Sequence, residues 1–395
     1  LSGMSWNPAI ITMFPGRTSS LNFTYLKAYA DYELKRPATV GGIPIQFIPA
    51  IAGGPGTQAG AGNIGGKGAF IPASATAWQL TDRLWLGYTS GAPWGLRSKM
   101  ENQVYAGQTY GRSAKIRSIN ISPTIGYKIN DFISVGAAVQ VQYLKARLSQ
   151  ATTLSPVATP GILEGDNWSF GYRLGVTLNP TKDTTIGIGY RSSVRHQLEG
   201  SFDGISAVLP IMPIRANLNL PDSVVVGVSH TFNERWQGHL GVEWTNWSRF
   251  RRIPIINKLN GLPVTSLNFV YDDSWFFSAG VEYKATSALT LRAGVGYELS
   301  AVNNTNRTVF ISDNDRLWLG IGASYQATQK LKLDLGYSFI KVNKAAANYN
   351  AAHPQFRLVD VAFEAKPHIH IVSVGATYRW DDPAVVQPAP VVRKY

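Results

Sequence analysis

The stretch Leu289-Thr290-Leu291-Arg292-Ala293-Gly294-Val295-Gly296-Tyr297-Glu298-Leu299-Ser300 decides the fold of this chain. Leu289, Leu291, Ala293, Val295, Tyr297 and Leu299 fall on one face of a strand, and Thr290, Arg292, Gly294, Gly296, Glu298 and Ser300 on the other. Successive strand side chains point to opposite faces, so the segment has one apolar and one polar wall. The same alternation recurs in Leu331–Ser338, Trp168–Leu178, Thr185–Arg195, Val224–Phe232, Trp236–Trp247, Trp275–Tyr283 and Leu317–Tyr325.

Two architectures accommodate such walls. A soluble sandwich turns the apolar wall inward; a transmembrane barrel turns it to lipid. The segments run roughly 9–20 residues, enough to cross a bilayer at a tilt. Aromatics such as Tyr283, Tyr297, Tyr325, Tyr378 and Trp236 stand near their ends, as interfacial girdles do. The polar walls carry charges that a sandwich core would not tolerate unpaired. The barrel is therefore expected, with Leu291, Val295, Leu333, Leu335, Val242 and Trp244 toward lipid. Arg292, Lys332, Asp334 and Glu243 are expected toward the lumen.

Composition agrees. Of 395 residues, 15% are charged, against about 25% in ordinary soluble domains. The longest charge-free run, from Pro37 to Gly66, is broken throughout by Gly and Pro and excludes a spanning helix. There is no Cys, which removes thiol nucleophiles, disulfides and thiolate metal sites. The net charge of +13 suits an anionic partner, either nucleic acid or a lipid surface. The chain opens on Leu1 rather than Met, read as a mature or truncated form.

Short turns at 81–83, 130–131, 181–183, 233–235, 286–288 and 328–330 alternate with longer connections near 34–70, 95–112, 152–166, 205–215, 259–268, 300–306 and 344–355. That spacing predicts fourteen antiparallel strands with short periplasmic turns and long outer loops, hence an all-β closed barrel without edges. The expected organisation is an N-terminal segment over 1–18, the barrel over 19–380 and a Pro-rich periplasmic tail over 381–395.

Local signals have competing readings. Asn7-Pro8-Ala9 is either a surface turn or part of a plug, since Ile10, Ile11, Met13 and Phe14 need burial. Gly91-Ala92-Pro93-Trp94-Gly95 is either the end of the third strand or a kink that breaks its ladder. The apolar residues Leu154, Ile162, Leu163, Val208, Leu209, Ile211, Met212 and Ile214 in two outer loops either cap the barrel or form a capture surface for a hydrophobic ligand. Charges of both signs on predicted inner faces, among them Arg173, Arg191, Arg195, Glu243, Glu282, Arg316 and Asp334, suggest internal ion-pair networks rather than a charge-selective pore. His368 and His370 alone do not make a metal site, and Gly62–Gly68 lacks the Ser/Thr and helix of a phosphate loop. No catalytic constellation can be assembled.

Across residues 5–380 the sequence resembles the FadL family of outer-membrane transporters for long-chain fatty acids and other hydrophobic compounds. The segments Asn7–Phe14, Tyr190-Arg191-Ser192 with Val194 and Gly200, Leu218–Asp222, Thr245–Phe250 and Asp313–Trp318 carry the resemblance in order. It implies a fourteen-stranded barrel plugged by an N-terminal hatch, with Asn7, Pro8 and Ala9 in the hatch. It also implies a third-strand kink at Gly91, Pro93 and Gly95 with an adjacent lateral opening, and capture of ligand at outer loops. About 25 hatch residues upstream of the Asn7 motif are absent relative to the family, the loop at 152–166 is shorter, and the tail is extra.

The resulting expectation is a passive uptake channel in the outer membrane of a Gram-negative bacterium, for long-chain fatty acids, with Arg191 and Arg195 as head-group contacts. Uptake of monoaromatic or alkane hydrocarbons is the alternative within the class. A hydrolase and a structural or receptor barrel are the alternatives outside it. Expected partners are a hydrophobic small molecule, membrane lipid and lipopolysaccharide (or detergent in its place). No cofactor, metal or nucleic acid is expected, and the chain is expected to be a monomer.

Overall fold

In a computed structural model of the chain, which describes residues 1–48, 64, 68–152, 160–204 and 211–381, the strands close into a fourteen-stranded antiparallel barrel. Numbered around the wall they are β1 (Arg17–Val40), β2 (Ala69–Gln79), β3 (Leu84–Gly91 and Gly95–Lys99), β4 (Ser113–Lys128), β5 (Ile133–Ala151), β6 (Pro160–Thr181) and β7 (Thr184–Arg191 and Val194–Asp203). The rest are β8 (Met212–Leu220 and Ser223–Thr231), β9 (Trp236–Thr245 and Arg252–Asn257), β10 (Pro263–Asn268 and Ser274–Lys284), β11 (Leu289–Leu299), β12 (Arg316–Gln326), β13 (Leu331–Val342 and Ala345–Tyr349) and β14 (Asp360–Arg379). Each pairs with its neighbours over most of its length, and β14 returns to β1 from Thr18↔Arg379 upward, which closes the sheet.

The wall follows the predicted alternation. Leu291, Val295, Leu333, Leu335 and Val242 are exposed on the outer face, while Arg292, Lys332, Asp334 and Glu243 are partly covered inside. Inside, Arg292 pairs with Glu282 at 3.1 Å and Asp334 at 3.8 Å, and Arg316 with Glu298 at 3.4 Å and Asp313 at 2.8 Å. The predicted mixed-sign network is thus present on β10–β13. The strands also run beyond the bilayer: β6 begins at Pro160, β8 at Met212 and β10 at Pro263, inside stretches expected to be loops. The barrel spans Arg17 to Arg379 rather than 19–380, and Leu154, Val208, Leu209 and residues 382–395 lie outside the described residues.

Several strands break, and the breaks change which residues face inward. On the lower piece of β7, Gly189 and Arg191 point inward; on the upper piece Val194, His196 and Leu198 do. The inserted pair Ser192-Ser193 shifts the side-chain parity by one. Arg195, expected inside, is consequently on the outer face. Pro221-Asp222 does the same on β8, moving the inward set from Leu220, Leu218 and Ala216 above to Ser223 and Val225 below. On β7 to β10 the breaks are level, because Arg191, Ser223, Thr245 and Ser274 are successive register partners.

Below that level the N-terminal residues fill the barrel. Of two 3-10 turns, Pro8–Met13 packs against β4, β5 and β6, and Ser2–Ser5 against β2 and β3. Asn7 caps the second turn, accepting from Ala9 N at 3.0 Å, and donates to Val176 O at 2.9 Å. Four inward glycines, Gly126, Gly136, Gly175 and Gly189, stand directly opposite one another on β4 to β7. A β-carbon on them would overlap Ile11 Cγ2, Ala9 N, Asn7 Oδ1 and Trp6 O respectively, so the missing side chains make the groove in which residues 6–11 lie.

Candidate functional site

Above the N-terminal segment the inner wall turns apolar. Leu198 on β7, Ile214, Leu218 and Leu220 on β8, and Ile253 and Ile255 on β9 point into the lumen and pack with Phe250, Tyr271 and Val302. The parity shifts on β7 and β8 put Leu198, Ile214, Leu218 and Leu220 inside. They line a cavity of about 2310 Å³. Trp94 and Trp247 meet edge to face at 5.5 Å beside it.

The outer connections fold inward to cover the top. Residues 100–111 bring Met100, Tyr105 and Tyr110 against Val309, Tyr349, Val359 and Phe363. Tyr110 donates to Val359 O at 2.6 Å, and its ring stacks on Tyr349 at 3.8 Å. Arg307, 1% exposed, ties the 300–315 connection down by donating to Asp313 O at 2.6 Å and Ala346 O at 2.5 Å. Sequence reading passed over Arg307, since nothing in a lone loop arginine announces that it is enclosed.

Of the apolar residues expected at the outer loops, Leu163, Met212 and Ile214 join this lining or its packing shell. Ile162 does not: it alternates with Leu163 and takes the outer face. Ile211 is exposed, just before β8.

The floor is polar. Arg173 is 2% exposed, donates from Nε to Gln140 Oε1 at 3.1 Å, and has no carboxylate partner among the described residues. Its Nη1 reaches Thr89 at 3.5 Å, one residue from Ser90 and two from Gly91, both of which line the cavity. Asn120 and Gln142 are register partners nearby, buried, with Asn120 Oδ1 and Gln142 Nε2 unpaired. Arg191 stands directly opposite Arg173. Its guanidinium lies 5.9 Å from the Trp94 ring and donates to Ser5 O at 3.4 Å, so it links wall and N-terminal segment.

The cavity also reaches the wall at β2 and β3. Pairing of these strands runs from Gln79↔Trp85 up to Ser74↔Ser90 and stops. Above it, Gly95–Lys99 pairs with β4 but makes no ladder with Ala69–Ala73 among the described residues. Met100 bridges to Ile64 higher up, and Ile64 to Ala30. The unpaired interval between these limits is flanked by Phe70–Ala73 on one side and Gly91–Leu96 on the other, all of them in contact with the cavity. Trp94 is tied to β4 and not to β2: its N donates to Ser118 Oγ at 2.9 Å, and its O accepts from Ser118 Oγ at 2.6 Å and Ser118 N at 3.1 Å.

Residues 1–385 match the family described as outer membrane protein transport protein (OMPP1/FadL/TodX). The chain is similar to the long-chain fatty acid transport protein of Escherichia coli O6:H1, 25% identical over 86% of this chain and 81% of the relative. It is also similar to outer membrane protein P1 of Haemophilus influenzae, 25% identical over 87% and 81%. Among solved structures, a FadL homologue of Pseudomonas aeruginosa superposes with a TM-score of 0.84 at 24% identity, covering 95% of this chain and 93% of the other. The P. putida toluene transporter TodX superposes with 0.70 at 18% identity, covering 95% and 93%. The chain belongs to the OMPP1/FadL/TodX family of outer-membrane transport proteins. It is a transporter of hydrophobic compounds in the outer membrane, and not an enzyme.

Proposed function

We propose that this transporter takes up long-chain fatty acids, which enter the apolar cavity from the outer loops and leave sideways between β2 and β3. The observation that carries the reading is the single cavity running from the lining of Leu198, Ile214 and Ile253 to the unpaired interval at Gly91–Gly95. Its apolar lining is continuous from Leu198, Ile214 and Ile253 to Phe70 and Leu96, a length that suits an extended chain. A lateral route spares an apolar solute from crossing periplasmic water, and the N-terminal segment, held by Asn7 to Val176 O and packed through Met4 and Ile11, stands in the vertical path.

The polar cluster beneath the cavity offers a place for a carboxylate that displaces the side chains over it, since Arg173 approaches the cavity only through Thr89, next to Ser90. A buried guanidinium without an anion is costly, and a ligand head group would offset that cost at Arg173. Arg191 is a second head-group contact in this reading, reached when Trp94 or Ser5 shifts. Arg195 takes no part, because it faces outward. The named relatives include both a fatty acid transporter and a toluene transporter, so charge is the discriminating test.

Cells lacking their own transporter of this kind would receive the wild-type chain or Arg173→Gln, with oleate and toluene uptake measured side by side. The expected result is oleate uptake in the wild type and a loss of about tenfold or more with Arg173→Gln, the scale of one charge-assisted hydrogen bond. Toluene entry that exceeds oleate entry, and is indifferent to the substitution, would replace this reading with the hydrocarbon one.

A further inference from the structure

Outside the barrel, just above the lipid-facing belt, the side chains of β3, β4 and β5 form an unbalanced positive surface. Register places Arg97 opposite Lys115 and Lys115 opposite Arg147 in one row. In the next row Arg117 is opposite Lys145. Glu164 holds Lys145 at 2.5 Å and Arg147 at 3.3 Å. Lys99, Arg97, Lys115 and Arg117 have no carboxylate partner among the described residues. Like charges directly opposite in a ladder repel, so the arrangement calls for an anion supplied from outside.

Some other outer cations are matched by carboxylates, while Arg195, Arg215 and Arg252 stand singly, opposite Asn219, Glu199 and Asn268. On β1 and β14 Glu33 takes Lys35 at 3.1 Å and Lys366 at 2.5 Å, and on β7 Glu199 takes Lys258 at 2.6 Å. What sets β3–β5 apart is that cations stand opposite cations in two successive rows. The height of these rows is equally defined. One register step toward the membrane the outer face changes to Ile119 and Tyr143, with Trp168 packed on Tyr143 at 5.2 Å, and then to Ile121, Val141 and Phe170. An aromatic belt marks the boundary of the hydrocarbon layer. The cations therefore stand where the head groups of the outer leaflet lie, on the side of the long connections. They also border the unpaired interval: Arg97 donates to Gly68 O at 3.3 Å across it, and Arg97, Lys115 and Arg117 touch the same cavity that reaches through it.

We propose that the outer face of β3–β5 is a binding site for the phosphorylated glycolipid of the outer leaflet, whose phosphates are taken by Arg97, Lys115 and Arg117 beside the opening. Arginine binds phosphate through paired N–H groups, and lysine adds a point charge. The acyl chains of the same lipid lie on Ile119, Ile121 and Phe170. The bound lipid forms part of the outer bank of the opening, so the interval faces an ordered lipid rather than a freely exchanging one.

The test uses the purified full chain in mild detergent, with native mass spectrometry reading how much lipid A it retains. Probes are bis-phosphorylated lipid A and the same lipid stripped of both phosphates. The patch variant is Arg97→Gln, Lys115→Gln, Arg117→Gln; the control neutralises Lys182, Arg235 and Lys330 at the opposite end of the barrel. Heat-dependent gel mobility checks that each variant is folded, and Lys115→Gln alone serves if the triple variant is not. The expected result is a loss of retention of about tenfold or more in the patch variant, the scale of two to three lost charge contacts, with little change in the control. Dephosphorylated lipid should bind the wild type as weakly as phosphorylated lipid binds the variant. Equal retention by variant and wild type, equal retention of the two lipids, or displacement by inorganic phosphate at lipid-equivalent concentration would overturn the proposal. Lipid retention is read without transport, so it stands or falls separately from the fatty-acid reading.

Discussion

Gly175 has room for no side chain because Asn7 occupies the space: a β-carbon there would overlap Asn7 Oδ1, the atom that accepts from Ala9 N. Wall and N-terminal segment are thus fitted to one another through an atom that one partner lacks. Gly136 and Gly189 extend the same relation to Ala9 and Trp6.

Gly175→Val should therefore expel or tilt residues 6–11 while the β5–β6–β7 ladders persist, since valine favours strands and the site is lumenal. The expected outcome is a barrel of normal heat-resistant mobility with about tenfold faster proteolysis of the N-terminal segment, matching a local cost of about 1–3 kcal/mol. It should also admit small polar solutes in a liposome-swelling assay. Wild-type protection of the segment in this variant would show that the groove is not what holds it.

Pro93→Val with Gly95→Val should let β3 continue past Ser90 and pair with Ala69–Ala73. Proline offers no donor to a ladder, and valine restores one. Uptake of a long-chain fatty acid should fall to near background, with folding unaffected and ligand still retained in the cavity. A crystal structure showing the continuous strand together with undiminished uptake would rule out lateral exit.

Arg307→Ala leaves Asp313 O and Ala346 O without their donor and empties a buried space. The outer cap should loosen by about 2–3 kcal/mol, the scale of lost charged hydrogen bonds. Hydrogen exchange at residues 303–311 is the measurement. Exchange should quicken there and stay slow in β11 and β12.

His353 gives the cap a dependence on pH. Its Nδ1 accepts from Gln355 N at 3.1 Å and its Nε2 faces Arg307 O at 3.0 Å, an arrangement that suits the neutral ring. Burial pushes its pKa below the ordinary imidazole value. With the folded pKa below the unfolded one, its contribution is complete above about pH 6.5 and is lost as pH falls through that range. Exchange at 350–356, corrected for intrinsic rate, should rise between pH 7.5 and 5. His353→Gln should remove most of that rise.

The period of two was legible because lipid and lumen impose opposite chemistry on alternate residues, as Leu291 and Arg292 show. The outer extent of the strands was not, because beyond the bilayer apolar residues such as Ile214 and Val361 turn inward and blur the loop signal. Arg195 was misplaced because Ser192-Ser193, which reverses the parity, contains neither Gly nor Pro. The break at Gly91–Gly95 does contain them and could be located. The polar floor depends on Arg173, Gln140 and Thr89 meeting from three different strands, a matter of register that no local pattern encodes. The glycine row was open to notice in principle, as Gly126, Gly136, Gly175 and Gly189, but only pairing reveals that they are level.

The level breaks on β7 to β10 act as a seam. Arg191, Ser223, Thr245 and Ser274 mark its lower lip, and each strand re-enters the wall above it with its own choice of inward residues. Because the ladders below the seam are complete in themselves, exchanges above it, or one-position shifts within the connecting turns, should leave the lower seal undisturbed. If cargo is held above the seam, as proposed, grafting upper half-strands as cassettes should alter what is carried while the seal below stays intact.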